Sequence, residues 1–175
     1  QAQSASDDER LDHLEFYLHT VDLGSHMHEK YGHTQLRVLN RKTGRDVSYT
    51  WGMFDYQDPN FALNFYRGIM RYQVGVFRTS IAHAIYKVEG RTVWEDLIRF
   101  TPEQKRRALQ LLDEQMLPEN QFYVYQYFFD NCSTRPRDLI DRILNGKVRQ
   151  TYAGRKSSRS FREIVRNWQA TTFMT

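Results

Sequence analysis

Partial alternation of apolar and polar residues in Leu14-Glu15-Phe16-Tyr17-Leu18-His19-Thr20-Val21, with aromatic and β-branched members, predicts a strand with one buried face. The polar, glycine-bounded stretch 24–32 predicts a loop, and 33–39 a second strand. Turn chemistry at Asn40-Arg41-Lys42-Thr43-Gly44-Arg45-Asp46 leads into a third strand over 47–51, so the two strands form an antiparallel hairpin with His33 at its open end. Asp58-Pro59 predicts the start of a short helix through Phe61, Phe65 and Met70, and 72–77 reads as a strand. Thr79 or Ser80 is expected to cap a second short helix over 81–88, followed by a strand within 92–100. Thr101-Pro102-Glu103-Gln104 has the signature of a capped helix start, with the helix reaching Met116. An aromatic run over 122–129 then precedes a helix whose apolar positions Leu139, Ile140, Ile143 and Leu144 share one face. Asn145-Gly146 is its stop signal.

These elements predict one α+β unit with a small, mostly antiparallel sheet packed with helices. Residues 1–13 read as a polar N-terminal segment, 14–146 as the catalytic domain and 147–175 as a basic C-terminal extension of it, mostly loop. A short helix there starts at Ser158 or Ser160 and runs through Phe161, Ile164, Val165 and Trp168.

The chain's single cysteine, Cys132, stands where the aromatic run gives way to a helix expected to begin at Ser133 or Thr134. Pro136 fits that start, because its missing N–H does no harm in a first turn. Free backbone N–H groups and the partial positive charge of a helix start favour a thiolate, which predicts a lowered thiol pKa and a place to hold an oxyanion. Ser133 and Thr134 are the expected caps. The competing reading is an inert core cysteine, against which stand the polar neighbours Asp130, Asn131, Ser133 and Thr134. A thiol nucleophile needs a base, usually a histidine held by a third polar group. His33, directly after Gly32 at the start of a strand, is the candidate. The third group should come from the paired strand, which nominates Thr50 or Tyr49, with Thr50 preferred and the register of the turn leaving both open.

His26, His28 and His33 form a rival set for a transition metal, but no acidic ligand is clearly placed beside them, so neither metal nor cofactor is expected. His13, His19 and His83 belong to no pattern. Phosphate-loop, dinucleotide and Gly-x-Ser-x-Gly signatures are missing.

Composition adds bounds. The 175 residues are 40% hydrophobic and 14% aromatic, which supports a sizeable core and a greasy concave surface. One cysteine rules out an internal disulfide, and no apolar run approaches the roughly 20 residues of a spanning helix. Net charge is +4, yet residues 143–175 carry seven Lys or Arg against one acid, Glu163, a surface that reads first as a solvated face and otherwise as suited to anionic lipid or nucleic acid. Nucleic acid is not expected as a partner, since only that tail would favour it. The polar start, Gln-Ala-Gln-Ser-Ala-Ser-Asp-Asp-Glu-Arg, resembles what remains after signal-peptide removal.

Three blocks in this order, Tyr31-Gly32-His33-Thr34-Gln35-Leu36-Arg37-Val38, Tyr49-Thr50-Trp51-Gly52-Met53-Phe54-Asp55-Tyr56 and Asp130-Asn131-Cys132-Ser133-Thr134-Arg135, resemble the N-terminal periplasmic domain of Lnb-type bacterial lipoprotein N-acyltransferases. That family is similar to circularly permuted papain-like thiol enzymes, with the histidine strand before the cysteine helix. The resemblance implies Cys132 as nucleophile and His33 as base, with Asn131, Arg135 and Tyr49 shaping the substrate or oxyanion site. It implies transfer of an acyl chain from phospholipid to the N-terminus of a diacylated lipoprotein through a Cys132 thioester, by a monomer at a membrane surface on the periplasmic side of the envelope. A papain-like cell-wall amidase or peptidase is the alternative, and a non-catalytic module binding anionic lipid a third class.

Overall fold

A computed structural model describes residues 11–25, 29–54, 59–60, 63–64 and 67–173. The polar segment before residue 11, the histidines His26 and His28, and Phe61 and Phe65 of the expected helix after Asp58 lie outside the described residues; of that helix, 63–64 are helical, whereas 67–70 are turn and coil, so it does not reach Met70. Six strands, β1 (Leu14–Val21), β2 (His33–Asn40), β3 (Asp46–Phe54), β4 (Arg71–Arg78), β5 (Val93–Ile98) and β6 (Phe122–Val124), form one sheet in the order β5-β1-β2-β3-β4-β6. Every neighbouring pair is antiparallel. The helices are α1 (Thr79–Val88), α2 (Pro102–Met116), α3 (Pro118–Gln121), α4 (Thr134–Ile143), α5 (Lys147–Tyr152) and α6 (Phe161–Phe173). The α+β class is as expected, with an antiparallel sheet wider than the sequence indicates.

Strand periodicity gives the sheet two unlike faces. On one, Phe16, Leu36, Val38, Tyr49, Trp51 and Val74 meet Ala108, Leu111 and Leu112 of α2 and Leu139 and Ile143 of α4 in a single core. Each large apolar side chain fully buried there contributes about 1.5–3 kcal/mol. The other face, under α1, buries polar groups. One cross-strand row runs Glu95, His19, Gln35, Thr50, Gly75. Two of its members pair through one atom each: Gln35 Nε2 donates to the Tyr86 hydroxyl at 2.5 Å, and His19 Nε2 meets Glu95 Oε2 at 2.7 Å, while Gln35 Oε1 and His19 Nδ1 have no partner. One row over, the Ser48 and Thr79 hydroxyls pair at 2.9 Å. Thr79 therefore lies inside α1 and binds the sheet. Arg78 occupies the cap position without a side-chain bond, in place of the expected Thr79 or Ser80 cap.

Between Thr50 and Met53 the β3–β4 register shifts by a bulge, and the β2–β3 ladder ends at Gln35–Thr50. Beyond that point the two strands part, which opens the end of the sheet where His33 stands. The Thr101–Gln104 capping box starts α2 as its sequence implies. Three elements were not expected, the first being the single turn α3 between α2 and β6. Strand β6 pairs with β4 and is held by its Tyr123 hydroxyl donating to the Trp51 carbonyl. Helix α5 follows the left-handed turn at Asn145 and Gly146, and with α6 it makes the basic extension mostly helical where mostly loop was expected. Among the described residues no helix is long and apolar enough to cross a membrane.

Candidate active site

Cys132 sits immediately before α4, and Asn131 builds its surroundings. Asn131 Oδ1 accepts from the backbone N–H of Ser133 (2.9 Å) and Thr134 (3.0 Å), Thr134 Oγ1 accepts from the Asn131 N–H (2.8 Å), and Asn131 Nδ2 donates to the Tyr127 carbonyl (2.8 Å). Asn131, not Ser133 or Thr134, therefore caps the helix start, and the amides expected to hold a thiolate or an oxyanion are occupied. That alters the electrostatics. Burial pushes the Cys132 thiol up, and the hydrogen bonds it receives from the Thr34 backbone N–H, Ser133 and its own N–H offset this only in part. The lowered thiol pKa expected from the helix start is reversed, because desolvation outweighs a dipole whose donors are already used.

Arg135 is turned to structure. Its Nε and Nη2 hold Asp130 at 2.5 and 2.9 Å, and its guanidinium lies 3.7 Å from the Tyr123 ring centre. With the Tyr123 hydroxyl bound to the Trp51 carbonyl, this chain ties the start of α4 to the β3 bulge. Arg135 does not line the cleft.

His33 enters through Gly32, whose φ of +71° suits glycine and where a Cβ would come within 2.7 Å of the Val21 carbonyl oxygen. The His33 ring lies against Gly52, where a Cβ would meet Cε1 at 2.6 Å. Its Nε2 is 2.7 Å from Thr50 Oγ1, which also accepts from the Gly52 N–H at 3.3 Å. With Nε2–H donating to Thr50, Nδ1 keeps a free lone pair, the form a base needs. Burial first, and the Arg91 cation second, lower the His33 pKa to about 4, so the imidazole is neutral across the physiological range. Thr34, the next residue, brings this end of β2 to Cys132: its N–H reaches the sulfur and its Oγ1 is 3.2 Å from Ser133 Oγ. Tyr49, by contrast, points into the core on the opposite face, where burial raises its hydroxyl pKa. Of the two candidates for the third group, Thr50 is the one that touches His33.

Comparison with protein families gives a match over residues 2–167 to the Lnb N-terminal periplasmic domain. The chain belongs to this family. Comparison with curated proteins and with solved structures gives no significant match. The chain is thus a periplasmic domain of the Lnb kind.

In this Lnb N-terminal domain Cys132, His33, Thr50 and Asn131 line one cleft of about 680 Å³, within the roughly 300–1,000 Å³ range of ligand sites. Its walls are largely apolar: Met53, Phe54 and Tyr72 near the bulge, Phe77 and Ile85 toward α1, and Tyr125 and Phe128 before the cysteine. The far wall comes from the basic extension, since Phe161, Ile164 and Val165 of α6 line the same cleft and Phe161 stacks on Phe128 at 4.5 Å. Sequence reading missed this wall, although the spacing of 161, 164 and 165 marks an apolar helix face. It also missed Arg91, whose buried guanidinium donates to the Asp22 carbonyl at 2.9 Å and pairs with Glu89 (3.2 Å) and Glu29 (3.5 Å). Tyr86, beside it, has its hydroxyl pKa pushed up to about 12 by burial.

Proposed function

We propose that this domain is a thiol-dependent acyltransferase that moves an acyl chain from a phospholipid to the N-terminal amine of a diacylated lipoprotein through a thioester on Cys132. The observation that carries this reading is the placement of the thiol and the His33–Thr50 pair in a cleft walled by methylene-compatible side chains. Each acyl CH₂ buried there gains about 0.8 kcal/mol. His33 Nδ1 takes the thiol proton as Sγ attacks the ester carbonyl, and the same proton passes to the glycerol oxygen as the C–O bond breaks, releasing lysophospholipid. The lipoprotein amine then attacks the thioester, gives its proton to His33 and leaves an amide, while the thiolate is reprotonated. With Ser133 and Thr134 capped, the donors left for the oxyanion are the Thr34 and Cys132 N–H groups that face the sulfur. The order of histidine strand before cysteine helix fits the permuted papain-like arrangement.

A membrane surface suits the cleft's rim, where Phe129 and Phe161 are 65% and 54% exposed beside Arg159 and Arg162. The ion-paired cluster of buried Arg91 with Glu29 and the exposed Glu89 favours a second reading, a cell-wall amidase or peptidase, since charged groups in a cleft suit a peptide's ends. Intact-mass analysis with phospholipid vesicles and a diacylated lipopeptide, run beside purified muropeptides, separates the two. Gain of one acyl chain on the lipopeptide, lost in Cys132→Ala, supports acyl transfer. Cleaved muropeptides with an unchanged lipopeptide establish the second reading, and vesicle binding with neither product makes the domain a lipid-binding module.

A further inference from the structure

We propose that His19, His83 and Glu95 form a binding site for a divalent transition metal of the zinc type, separate from the Cys132 cleft, that fastens α1 to the β1–β5 edge of the sheet. The fold assembles these residues from three elements. One donor atom from each lies within 4.8 Å of the others, and the two imidazole ring centres are 5.3 Å apart. Two imidazoles and one carboxylate, with a fourth position left for water, match the ligand chemistry of zinc.

Hydrogen bonding around the cluster favours a metal over a plain polar contact. His19 is fully buried, yet its Nδ1 has no partner, and the buried Nε2 of His83 has none either. Buried polar atoms of a folded protein are nearly always satisfied, so an unsatisfied His83 Nε2 on the ring beside the His19–Glu95 pair calls for a ligand. His19 Nε2 stands 2.7 Å from Glu95 Oε2, an arrangement in which a metal ion can replace the shared proton once the two atoms separate by less than about an ångström. Glu95 is also held from outside: Arg37 Nη1 donates to Oε2 at 2.5 Å, while Arg37 is itself gripped by both oxygens of Asp46 at 2.8 and 2.7 Å. Ligating carboxylates and histidines are ordinarily oriented by such outer hydrogen bonds. Charge is compatible as well. Asp46 balances Arg37, so Glu95 supplies one net negative charge and the two imidazoles supply neutral lone pairs. Burial acts in the same sense by lowering the His19 pKa.

The site has a mechanical consequence. Helix α1 carries Ile85 and Tyr86 into the wall of the cleft, and the Tyr86 hydroxyl rests on Gln35, the neighbour of His19 in the cross-strand row. A metal joining His83 to His19 and Glu95 fixes that wall relative to the sheet.

The test uses the full 175-residue chain, freed of metal with a chelator and dialysed against Zn²⁺ or Co²⁺, with bound metal measured by elemental analysis and by the visible spectrum of Co²⁺. We expect one equivalent, an intense tetrahedral-type Co²⁺ spectrum, retention in Cys132→Ala, and an affinity loss of roughly a hundredfold or more in His83→Gln and Glu95→Gln. Imidazole ¹⁵N spectra of the unmutated protein guard against variants that fail to fold: Zn²⁺ must move the His19 and His83 ring signals and leave those of His33 in place. Absence of uptake at stoichiometric excess, uptake that survives His83→Gln, uptake lost in Cys132→Ala, or shifts at His33 in place of His19 and His83 would each overturn the site.

Discussion

Alkylation of Cys132 by iodoacetamide should follow the titration of a buried neutral thiol, not that of a preformed thiolate–imidazolium pair. The thiol starts from an ordinary value of 9.0 and burial raises it, while His33 is lowered to about 4. Even with the thiol left at its ordinary value the gap is about 5 units, and at about 1.36 kcal/mol per unit proton transfer at rest costs about 7 kcal/mol. Even a contact ion pair, at about 4 Å, would recover only about 4 kcal/mol at an effective dielectric near 20. The remaining 3 kcal/mol or so leaves the charged pair in roughly one molecule in 160. Alkylation followed by intact mass from pH 4 to 10 should therefore rise through and beyond the ordinary thiol range with no acidic plateau. His33→Ala should keep that midpoint while abolishing turnover, because the base acts only as the bond to substrate forms. A rate plateau beginning near pH 4 and vanishing in His33→Ala would show a resting ion pair and refute the electrostatic reasoning.

Thr50→Val removes the partner of His33 Nε2 and should cost about 1–3 kcal/mol in urea unfolding, with kcat falling more than KM changes. Gly52→Ala puts a methyl 2.6 Å from His33 Cε1, and thioester formation followed by mass should fall sharply even where circular dichroism is unchanged. Asn131→Ala strips two capped amides and should lower stability by about 1–2 kcal/mol, read as a shifted denaturation midpoint. Because the folded pKa of His33 lies below its unfolded value of 6.5, the unfolded chain binds the proton first as pH falls. Stability should drop by up to about 3 kcal/mol between pH 6.5 and 4, and His33→Ala should lack this component of the slope.

Local signals made much of the fold legible. Strands β1 and β2 follow from alternation, α2 from its capping box and proline, and the end of α4 from Asn145-Gly146, because each signal acts within a few residues of the element it defines. The same holds for the candidate nucleophile and base, whose neighbours Gly32 and Asn131 set their backbones directly. Tertiary structure decided what depends on distant partners. Three-residue β6 exists because β4 offers an edge and Trp51 a carbonyl for Tyr123, and its own sequence is too short to specify a strand. Thr50 rather than Tyr49 meets His33 because β-sheet register, a property of two strands and a turn together, sends alternate side chains to opposite faces. The direction of the thiol's shift was misread for the same reason. A helix start acts locally, but desolvation is imposed by every element packed around Cys132, and the capping of Ser133 and Thr134 by Asn131 had already withdrawn the local donors. His19, His83 and Glu95 share no spacing that a sequence could display, and only the pairing of β1 with β5 under α1 brings their donor atoms to one point.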